Sequence, residues 1–351
     1  MEKRQKWGAT MGLLRLQAMP LFKAIIASRL GLRKTPFFLS HLVTARCNCQ
    51  CPTCFWRDNV AEEMSTADNE TLYSEASETG FVANVIWGGE PLCREDLPVL
   101  CRASRQAGML TVVITNGYYL PETYDQLGPE VDGLIVSLDY PEASRHDAFR
   151  NCPGLFERAV KGARLIRDNY PRIKLFINCI LHRDNEKDAE GVAYLARDLG
   201  LSLYLSPAME GELPGGEGQT NRPDLASFEG FRYAARRFLE LKKQGLPVNN
   251  CRRYLQEYML EGGDYRCRVP LVFLNVLADG TALNCFTPGS SVGNVREKGL
   301  KEIISEQDRR KLIDLGNKCQ KCIVPDVVET SYLWGLSPEP CYNTFRIMTS
   351  P

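Results

Sequence analysis

Residues 44–55 read Thr-Ala-Arg-Cys-Asn-Cys-Gln-Cys-Pro-Thr-Cys-Phe and hold four cysteines within eight positions. Three of them, Cys47, Cys51 and Cys54, have the spacing C-x3-C-x2-C. Thiolates are soft ligands that select zinc, copper(I) or iron–sulfur clusters. Three thiolates on one short loop hold three irons of a cubane and leave the fourth iron open to a small molecule. The spacing therefore predicts reactive metal chemistry, with a zinc knuckle or a redox loop as the alternative.

An apolar run at 36–43 precedes the cysteines and predicts a buried first strand. Up to about residue 208, short apolar strands alternate with amphipathic helices, which indicates a parallel sheet with right-handed crossovers. Six such units fit an incomplete (β/α)6 barrel, although composition alone leaves a flavodoxin-like sheet or a full barrel open. Loops at the carboxyl ends of barrel strands carry the chemistry of this fold class. The predicted strands are 36–43, 82–87, 110–114, 132–138, 173–181 and 201–206, with helices at 94–107, 155–169 and 186–199.

The cysteine spacing after a first strand resembles the radical S-adenosylmethionine (radical SAM) superfamily. This resemblance implies a partial TIM-like barrel in which Cys47, Cys51 and Cys54 bind a catalytic [4Fe–4S] cluster. It also implies that the open iron chelates SAM, which is cleaved reductively to a 5′-deoxyadenosyl radical. The residue before the last cysteine is often aromatic in this superfamily, but it is Thr53 here. We therefore expect Phe55 to pack on the adenine, with Trp56 as the alternative.

The tetrapeptide Gly-Gly-Glu-Pro at 88–91 follows the second predicted strand. Two glycines let the backbone approach a ligand closely, and a carboxylate accepts hydrogen bonds from an ammonium group. The tetrapeptide is similar to the GGE motif of the radical SAM superfamily. The resemblance implies that Gly88, Gly89 and Glu90 hold the amino group of SAM.

Further candidates for binding SAM lie in or after the next predicted strands. Asn116 follows the third strand, and Ser137 ends the fourth, where similar proteins bind the ribose or carboxylate of SAM. Arg150 is a candidate partner of the SAM carboxylate, or else a solvated arginine at a helix end. Asn178 lies in an apolar strand and is either a ligand contact or a satisfied core amide. Cys49 fits no ligand spacing and is predicted to be a bystander.

A second set of cysteines lies in the C-terminal third of the chain. Asp279-Gly280 predicts a tight hairpin whose open end carries Cys267 and Cys285, and a predicted helix at 298–315 leads to the next two cysteines. Four thiolates are enough for a zinc ribbon or a [4Fe–4S] cluster. With the barrel, the set resembles the SPASM and twitch extensions of radical SAM enzymes, although the C-x5-C-x3-C end of the full SPASM pattern is missing. The resemblance implies one auxiliary [4Fe–4S] cluster, with the ligands Cys267, Cys285, Cys319 and Cys322 and the reserves Cys251 and Cys341.

Composition sets the class of protein. The chain has 351 residues, of which 44% are hydrophobic and 25% charged, and a formal net charge of zero. These values are ordinary for a globular protein and argue against a general nucleic-acid partner. We find no signal-peptide pattern and no apolar run long enough to span a membrane. Clustered C-x2-C spacings without a secretory signal favour metal binding in the reducing cytoplasm.

Residues 1–34 carry eight basic side chains against one acid, Glu2, and apolar residues recur at helical intervals. A basic amphipathic helix can lie on the inner face of a membrane or cover a substrate entrance, and the alternative is a helix that closes the bottom of the barrel. The predicted domains are this helix at 1–34, the radical SAM core at 35–222 and the SPASM/twitch-like α+β extension at 223–351. Helices are expected near 224–244 and 251–261.

We therefore expect an oxidoreductase or transferase that modifies an unactivated C–H or C=C position. The amphipathic N-terminus favours a lipid or isoprenoid substrate, and residues 254–267 resemble radical SAM enzymes of lipid pathways. A peptide or protein maturase, a small-molecule radical dehydrogenase and a non-catalytic iron–sulfur electron carrier or sensor stay open. A flavodoxin- or ferredoxin-type electron donor is implied by the superfamily.

Overall fold

The computed structural model describes residues 19–54, 62–208, 228–261, 265–286, 290–318, 322–323 and 325–349. Nine strands in this part form a single sheet. They are β1 Phe38–Thr44, β2 Ala83–Gly88, β3 Leu110–Thr115, β4 Gly133–Ser137, β5 Lys174–Leu181, β6 Ser202–Pro207, β7 Phe273–Val276, β8 Thr281–Leu283 and β9 Ser291–Asn294. The order across the sheet is β6-β5-β4-β3-β2-β1-β7-β8-β9.

Strands β1 to β6 pair in parallel with their sequence neighbours, as the alternation of strands and helices predicts. Each begins and ends within two residues of its predicted bounds. Because the sheet runs from β6 at one edge to β9 at the other, the six-strand barrel is open. The predicted fold class, a partial TIM-like barrel with a C-terminal extension, is confirmed.

The C-terminal strands continue the same sheet beyond β1. Strand β7 pairs with β1 in parallel, and β8 and β9 follow in antiparallel pairing. The predicted hairpin turn is present, with Gly280 in the left-handed region at φ 90°. The extension is therefore joined to the barrel through the strand that leads into the cysteine loop. The predicted domain boundaries stay predictions.

Helices connect the parallel strands and make up most of the C-terminal part of the described chain. They are α1 at 19–29, α2 Thr66–Glu78, α3 Leu97–Gln106, α4 Leu120–Leu127, α5 Ala143–Arg150, α6 Leu155–Asn169, α7 Ala189–Leu199, α8 Phe228–Lys243, α9 Val295–Lys298, α10 Leu300–Ser305, α11 Arg309–Lys318, α12 Pro325–Trp334 and α13 Pro338–Thr349. Alternate residues of β5 show how the core is divided: Leu175, Ile177 and Cys179 pack among the helices. Phe176 and Asn178 point to the other face, which is the barrel interior.

Two predicted helices differ from the structure. The expected helix at 298–315 is broken into α10 and α11, because the side chain of Asp308 accepts the N–H of Arg310 at 2.8 Å and caps a new helix. The expected helix near 251–261 contains a π-helical segment, Tyr254–Leu260.

Helix α1 packs on the amino end of the sheet. Leu21 and Ile25 are buried against Phe37, which directly precedes β1, and against Val272, which directly precedes β7. The side chain of Trp334 donates to the Ser28 hydroxyl at 3.0 Å and ties α12 to this helix. The described part of the N-terminal segment therefore closes the bottom of the barrel, and residues 1–18 lie outside the described part. Among the described helices, none is long and apolar enough to cross a membrane.

Candidate active site and metal centre

The cysteine loop leaves the carboxyl end of β1, where the ends of β2, β3 and β4 also lie. Within it, Cys47, Cys49 and Cys51 form one hydrogen-bonded group. The N–H of Cys49 donates to the Cys47 sulfur at 3.3 Å. The hydrogen bond from the Cys49 thiol lowers the pKa of Cys47 to about 7 and also lowers the pKa of Cys51, while that of Cys49 is raised. Two of the predicted cluster ligands are thus biased toward the thiolate, which is the form that binds metal.

Cys54 lies on the other side of the loop. Its N–H donates to the Cys51 carbonyl at 3.1 Å in a tight turn. Its side chain packs in an apolar group with Leu42, Trp87 and Phe286. Across the described residues, no three Cys, His, Asp or Glu side chains are already arranged as a metal-ligand set. The donor chemistry of the loop fits a cluster, and the role of the three cysteines as its ligands stays a prediction.

Gly88, the last residue of β2, and Gly89 lie directly on the start of the cysteine loop. The N–H of Gly89 donates to the Thr44 carbonyl, and that of Glu90 donates to the Arg46 carbonyl, both at 2.8 Å. A Cβ at Gly89 would stand 2.5 Å from the carbonyl oxygen of Ala45. Only glycine allows this close approach, so the 88–90 segment and the loop form one rigid unit.

Glu90 is fully buried and bonds to protein groups. Its carboxylate accepts from the Thr115 hydroxyl at 2.6 Å, from the Asn116 N–H at 2.6 Å and from the Leu92 N–H at 3.0 Å. Burial raises the pKa of this carboxyl, and the three hydrogen bonds oppose that shift. Glu90 therefore braces the end of β3 against β2, and its predicted contact with the SAM amino group stays a prediction.

Asn116 connects the end of β3 to the cysteine loop. Its side-chain amide donates to the Asn48 side chain at 2.8 Å and to the Cys49 sulfur at 3.3 Å. Its backbone N–H is held by Glu90. The structure thus joins the GGE segment, Asn116 and the cysteine loop through a continuous set of hydrogen bonds.

The candidates on β4 and β5 are neighbours. Ser137, the last residue of β4, is paired in register with Asn178 within β5, and both are half-buried. The Ser206 hydroxyl donates to the Asn178 side-chain oxygen at 2.7 Å, so the amide is partly satisfied. Aromatic rings line the same interior face, with Phe176 and Tyr204 at a centroid distance of 5.6 Å.

Arg150 ends α5 and lies below the cysteine loop. Its guanidinium donates to one carboxylate oxygen of Asp139 through both Nε and Nη2, each at 2.7 Å. The arginine is therefore a buried ion-pair partner in this structure and not a solvated helix end. Its predicted contact with the SAM carboxylate stays a prediction.

Two cysteines of the second set, Cys267 and Cys322, have contacts in the region of α11. Gly316 packs directly on Cys267, and the Tyr265 hydroxyl donates to the Cys322 carbonyl at 3.2 Å. Cys285 lies at the end of the hairpin, and the ring of Phe286 next to it meets Trp87 edge-on at 5.7 Å. The hairpin therefore contacts the wall of the barrel next to the GGE segment. Cys319 and Phe55 lie outside the described residues.

Sequence reasoning missed the contributions of Cys49, Thr115 and Asp139. Cys49 fits no ligand spacing and stays a predicted bystander of the cluster, while its N–H donates to the Cys47 sulfur at 3.3 Å. Thr115 and Asp139 sit in the motifs at the ends of β3 and β4. Their position at the carboxyl end of parallel strands is the signal that would have found them.

Solved structures confirm the architecture. The chain is similar to SuiB from Streptococcus suis bound to S-adenosylmethionine, with a TM-score of 0.65 and 15% identity over 80% of this chain and 68% of that one. It is also similar to anSMEcpe with bound AdoMet and a Cp18Cys peptide, with a TM-score of 0.62 and 16% identity over 82% of this chain and 84% of the other. At these identities the matches establish the fold.

Sequence matches show which proteins the chain is similar to. Residues 267–323 match the model of the SPASM iron–sulfur cluster-binding domain, a range that begins at the first cysteine of the second set and contains all four. The chain is 31% identical to an AdoMet-dependent heme synthase from Methanosarcina barkeri over 181 residues, 50% of this chain and 51% of the relative. It is 25% identical to an Fe-coproporphyrin III synthase from the same organism over 331 residues, 83% of this chain and 81% of the relative.

In its cysteine loop and in these matches the chain is similar to radical SAM enzymes. Residues 267–323 match their SPASM extension, as the second cysteine set predicts. The cofactors of this class are a catalytic [4Fe–4S] cluster, SAM and an auxiliary cluster, which agrees with the prediction. The chain spans about half the length of the heme synthase that it matches.

Proposed function

We propose that this enzyme cleaves SAM reductively and uses the resulting radical to modify an unactivated C–H or C=C position of a largely apolar substrate. The observation that carries this proposal is the single hydrogen-bonded unit formed by the cysteine loop, the GGE segment and Asn116 at the carboxyl end of the barrel. When bound, the cluster supplies the electron that cleaves SAM. The alternatives, an electron carrier or a sensor, do not require a Gly-Gly backbone packed on the cysteine loop.

The chain's own residues have separable tasks in this proposal. Cys47, Cys51 and Cys54 hold the catalytic cluster, and the Cys49 thiol keeps the first two in place. Gly88 and Gly89 bring backbone groups close to the methionine end of SAM, while Glu90 holds them against β3. The auxiliary cluster is held by the second set of cysteines beside the barrel wall.

The interior of the barrel supports an apolar substrate. Trp87, Phe176 and Tyr204 line it on separate strands, and the few polar groups there, such as Asn178, are bonded to neighbours. A flat or extended hydrocarbon skeleton fits such a wall better than a highly charged molecule. A lipid or isoprenoid is one candidate.

A tetrapyrrole is the second candidate, because the relatives are named for heme and Fe-coproporphyrin III and one of them aligns over 83% of the chain. The chain covers only part of the heme synthase, so this likeness does not decide for the tetrapyrrole. Helix α1 covers the bottom of the barrel and not its mouth, so it does not decide for the lipid. Iron porphyrin and a polyisoprenoid are added separately to the reconstituted enzyme. The true substrate class should increase the rate of 5′-deoxyadenosine release, and the other should not.

The reaction itself is tested with cysteine variants under dithionite. Cys54→Ala should abolish 5′-deoxyadenosine release, because a cluster held by two thiolates loses its open-iron geometry. Cys101→Ala is the matched control, since Cys101 is fully buried in the helix-side core, far along the chain from either cysteine set. Unchanged activity in Cys54→Ala would refute the assignment of the catalytic cluster.

The bottom of the barrel supports the proposed contact with an anionic membrane. Four large apolar side chains are exposed there on and after α1: Met19, Ile26, Leu30 and Leu32. Lys23, Arg33 and Lys34 line a cavity of about 510 Å³ beside them. Apolar side chains next to basic ones are the pattern of interfacial attachment. This face is opposite the cysteine loop, so the membrane would hold the enzyme without covering the site.

Vesicle sedimentation tests the membrane contact. The double variant Leu30→Glu/Leu32→Glu should lose binding to anionic vesicles, whereas Val99→Glu, at an exposed apolar position on α3, should bind as the wild type does. Equal vesicle binding by the wild type, the double variant and Val99→Glu would refute the proposed membrane contact. The cytoplasmic location and the flavodoxin- or ferredoxin-type donor stay predictions.

A further inference from the structure

Asp139 and Arg150 form a buried ion pair next to the cysteine loop. Asp139 is fully buried and Arg150 is 9% exposed. Both Nε and Nη2 of the arginine lie 2.7 Å from one carboxylate oxygen of the aspartate. Burying two charges costs free energy unless good geometry and further hydrogen bonds offset the loss of water. The surroundings of the pair therefore matter.

Asp139 is held on three sides. Its second carboxylate oxygen accepts the N–H of Ile180 on β5 at 2.9 Å. Its own N–H donates to the ring of His146 at 3.2 Å, and its carbonyl accepts from the side chain of Asn185 at 3.0 Å. The aspartate is thus fixed by β5, by α5 and by the turn before α7, so it sets the direction of the guanidinium.

The backbone of Arg150 in turn binds the cysteine loop. Its carbonyl accepts the N–H of Gln50 at 3.1 Å and lies 3.9 Å from the Cys51 sulfur. The next residue, Asn151, adopts the left-handed conformation at φ 47° and donates its side-chain amide to the Gln50 side chain at 3.2 Å. The end of α5 therefore clamps the residues between the second and third cysteines of the loop.

We propose that Arg150, oriented by Asp139, is a positioning residue of the cysteine loop: the end of α5 that it forms clamps the loop at Gln50, between the predicted cluster ligands Cys47 and Cys51. This inference rests on the proposed function and adds a role that needs no bound SAM. The reduction potential of a cluster depends on the hydrogen bonds and the solvent exposure around its sulfurs, so a loop that is no longer held at Gln50 should change it.

The effect on the cluster is tested by a redox titration of the reconstituted protein without SAM, followed by electron paramagnetic resonance. Arg150→Met should shift the potential of the catalytic cluster, because the end of α5 is no longer fixed by Asp139, and Arg150→Lys, which keeps a cationic partner for Asp139, should stay closer to wild type. Arg145→Met is the matched control, because Arg145 lies on the same helix and pairs with Asp188 at the surface. An unchanged potential in Arg150→Met would overturn the positioning role. An arginine that only binds the SAM carboxylate would change the KM for SAM and leave the SAM-free potential alone.

The clamp is tested separately by hydrogen exchange on cluster-free protein. Asp139→Asn should speed exchange of the Gln50 amide on the order of tenfold, since local opening sets that rate, while Asp188→Asn should not. If Asp139→Asn does not fold, Arg150→Met takes its place in the same measurement. Unchanged exchange would overturn the clamp. Failure of the wild type to bind iron at the first cysteine set would instead refute the proposed function. Hydrogen exchange of the Gln50 amide in the cluster-free protein would still test whether the end of α5 clamps the loop.

Discussion

A methyl group added at Gly89 would collide with the backbone of the cysteine loop. Its position lies 2.5 Å from the carbonyl oxygen of Ala45 and 2.8 Å from the carbonyl carbon of Arg46. Carbon atoms in contact prefer about 3.5–4.0 Å, and neither neighbour is a flexible side chain. Gly89→Ala must therefore push the GGE segment away from the loop by about 1 Å. That movement weakens the hydrogen bonds from Gly89 to Thr44 and from Glu90 to Arg46.

The expected cost follows from these contacts. Overpacking costs about 1–3 kcal/mol, and each weakened backbone hydrogen bond costs up to about 1 kcal/mol. We expect a loss of about 3 kcal/mol in the free energy of unfolding of the cluster-free protein. The catalytic effect should be larger than this loss suggests, because a displacement of about 1 Å at a site can cost about 100-fold in rate.

Urea unfolding, iron content and 5′-deoxyadenosine release are measured together for Gly89→Ala and Gly108→Ala. Gly108 is the control, since its φ of 88° strains an alanine by about 1–2 kcal/mol but no atom lies within 4 Å of the added methyl group. Gly108→Ala should lose some stability and keep its iron and activity. If Gly89→Ala behaves in the same way, the close packing of the two segments does not position the site.

Two further predictions concern the C-terminal extension. Burial raises the pKa of Glu329 from its ordinary 4.5 to about 8, although the Cys251 N–H donates to it at 2.9 Å. Between those pH values the native state binds more protons than the unfolded state, so the free energy of unfolding should fall as pH rises. In urea unfolding, Glu329→Gln should flatten this dependence on pH. An equal slope in the variant and the wild type would contradict the raised pKa of Glu329. Tyr254→Phe removes a 2.6 Å hydrogen bond to the Ile323 carbonyl and should lower the iron bound by the extension at a cost of about 1 kcal/mol. The exposed Tyr233→Phe should leave the iron unchanged, and equal iron in both variants would refute this support of the second site.

The strands and the class of enzyme could be predicted because both depend on local patterns. The alternation of apolar strands with amphipathic helices defines the barrel, and the cysteine spacing with Gly-Gly-Glu defines the loop and its partner. Both signals lie within short stretches of sequence. The hairpin at Gly280 was predicted for the same reason, since one residue in the left-handed region specifies the turn.

The contacts that organise the site could not be predicted in this way, because they join distant parts of the chain. Arg150 meets Cys51 across 99 positions, and Asn116 meets Cys49 across 67. A spacing rule treats the loop alone, so it sets Cys49 aside as a bystander. The broken helix at 298–315 has a local cause, the cap formed by Asp308, which the apolar periodicity concealed.

The central claim is that one chain holds a SAM-cleaving cluster and a second cluster in its extension. The most direct measurement is anaerobic reconstitution of the wild type, with iron counted per chain while 5′-deoxyadenosine release is followed under dithionite. The account predicts about eight irons, as expected for two [4Fe–4S] clusters, together with 5′-deoxyadenosine. Clusters that form without releasing any 5′-deoxyadenosine would contradict it and favour an electron carrier or sensor.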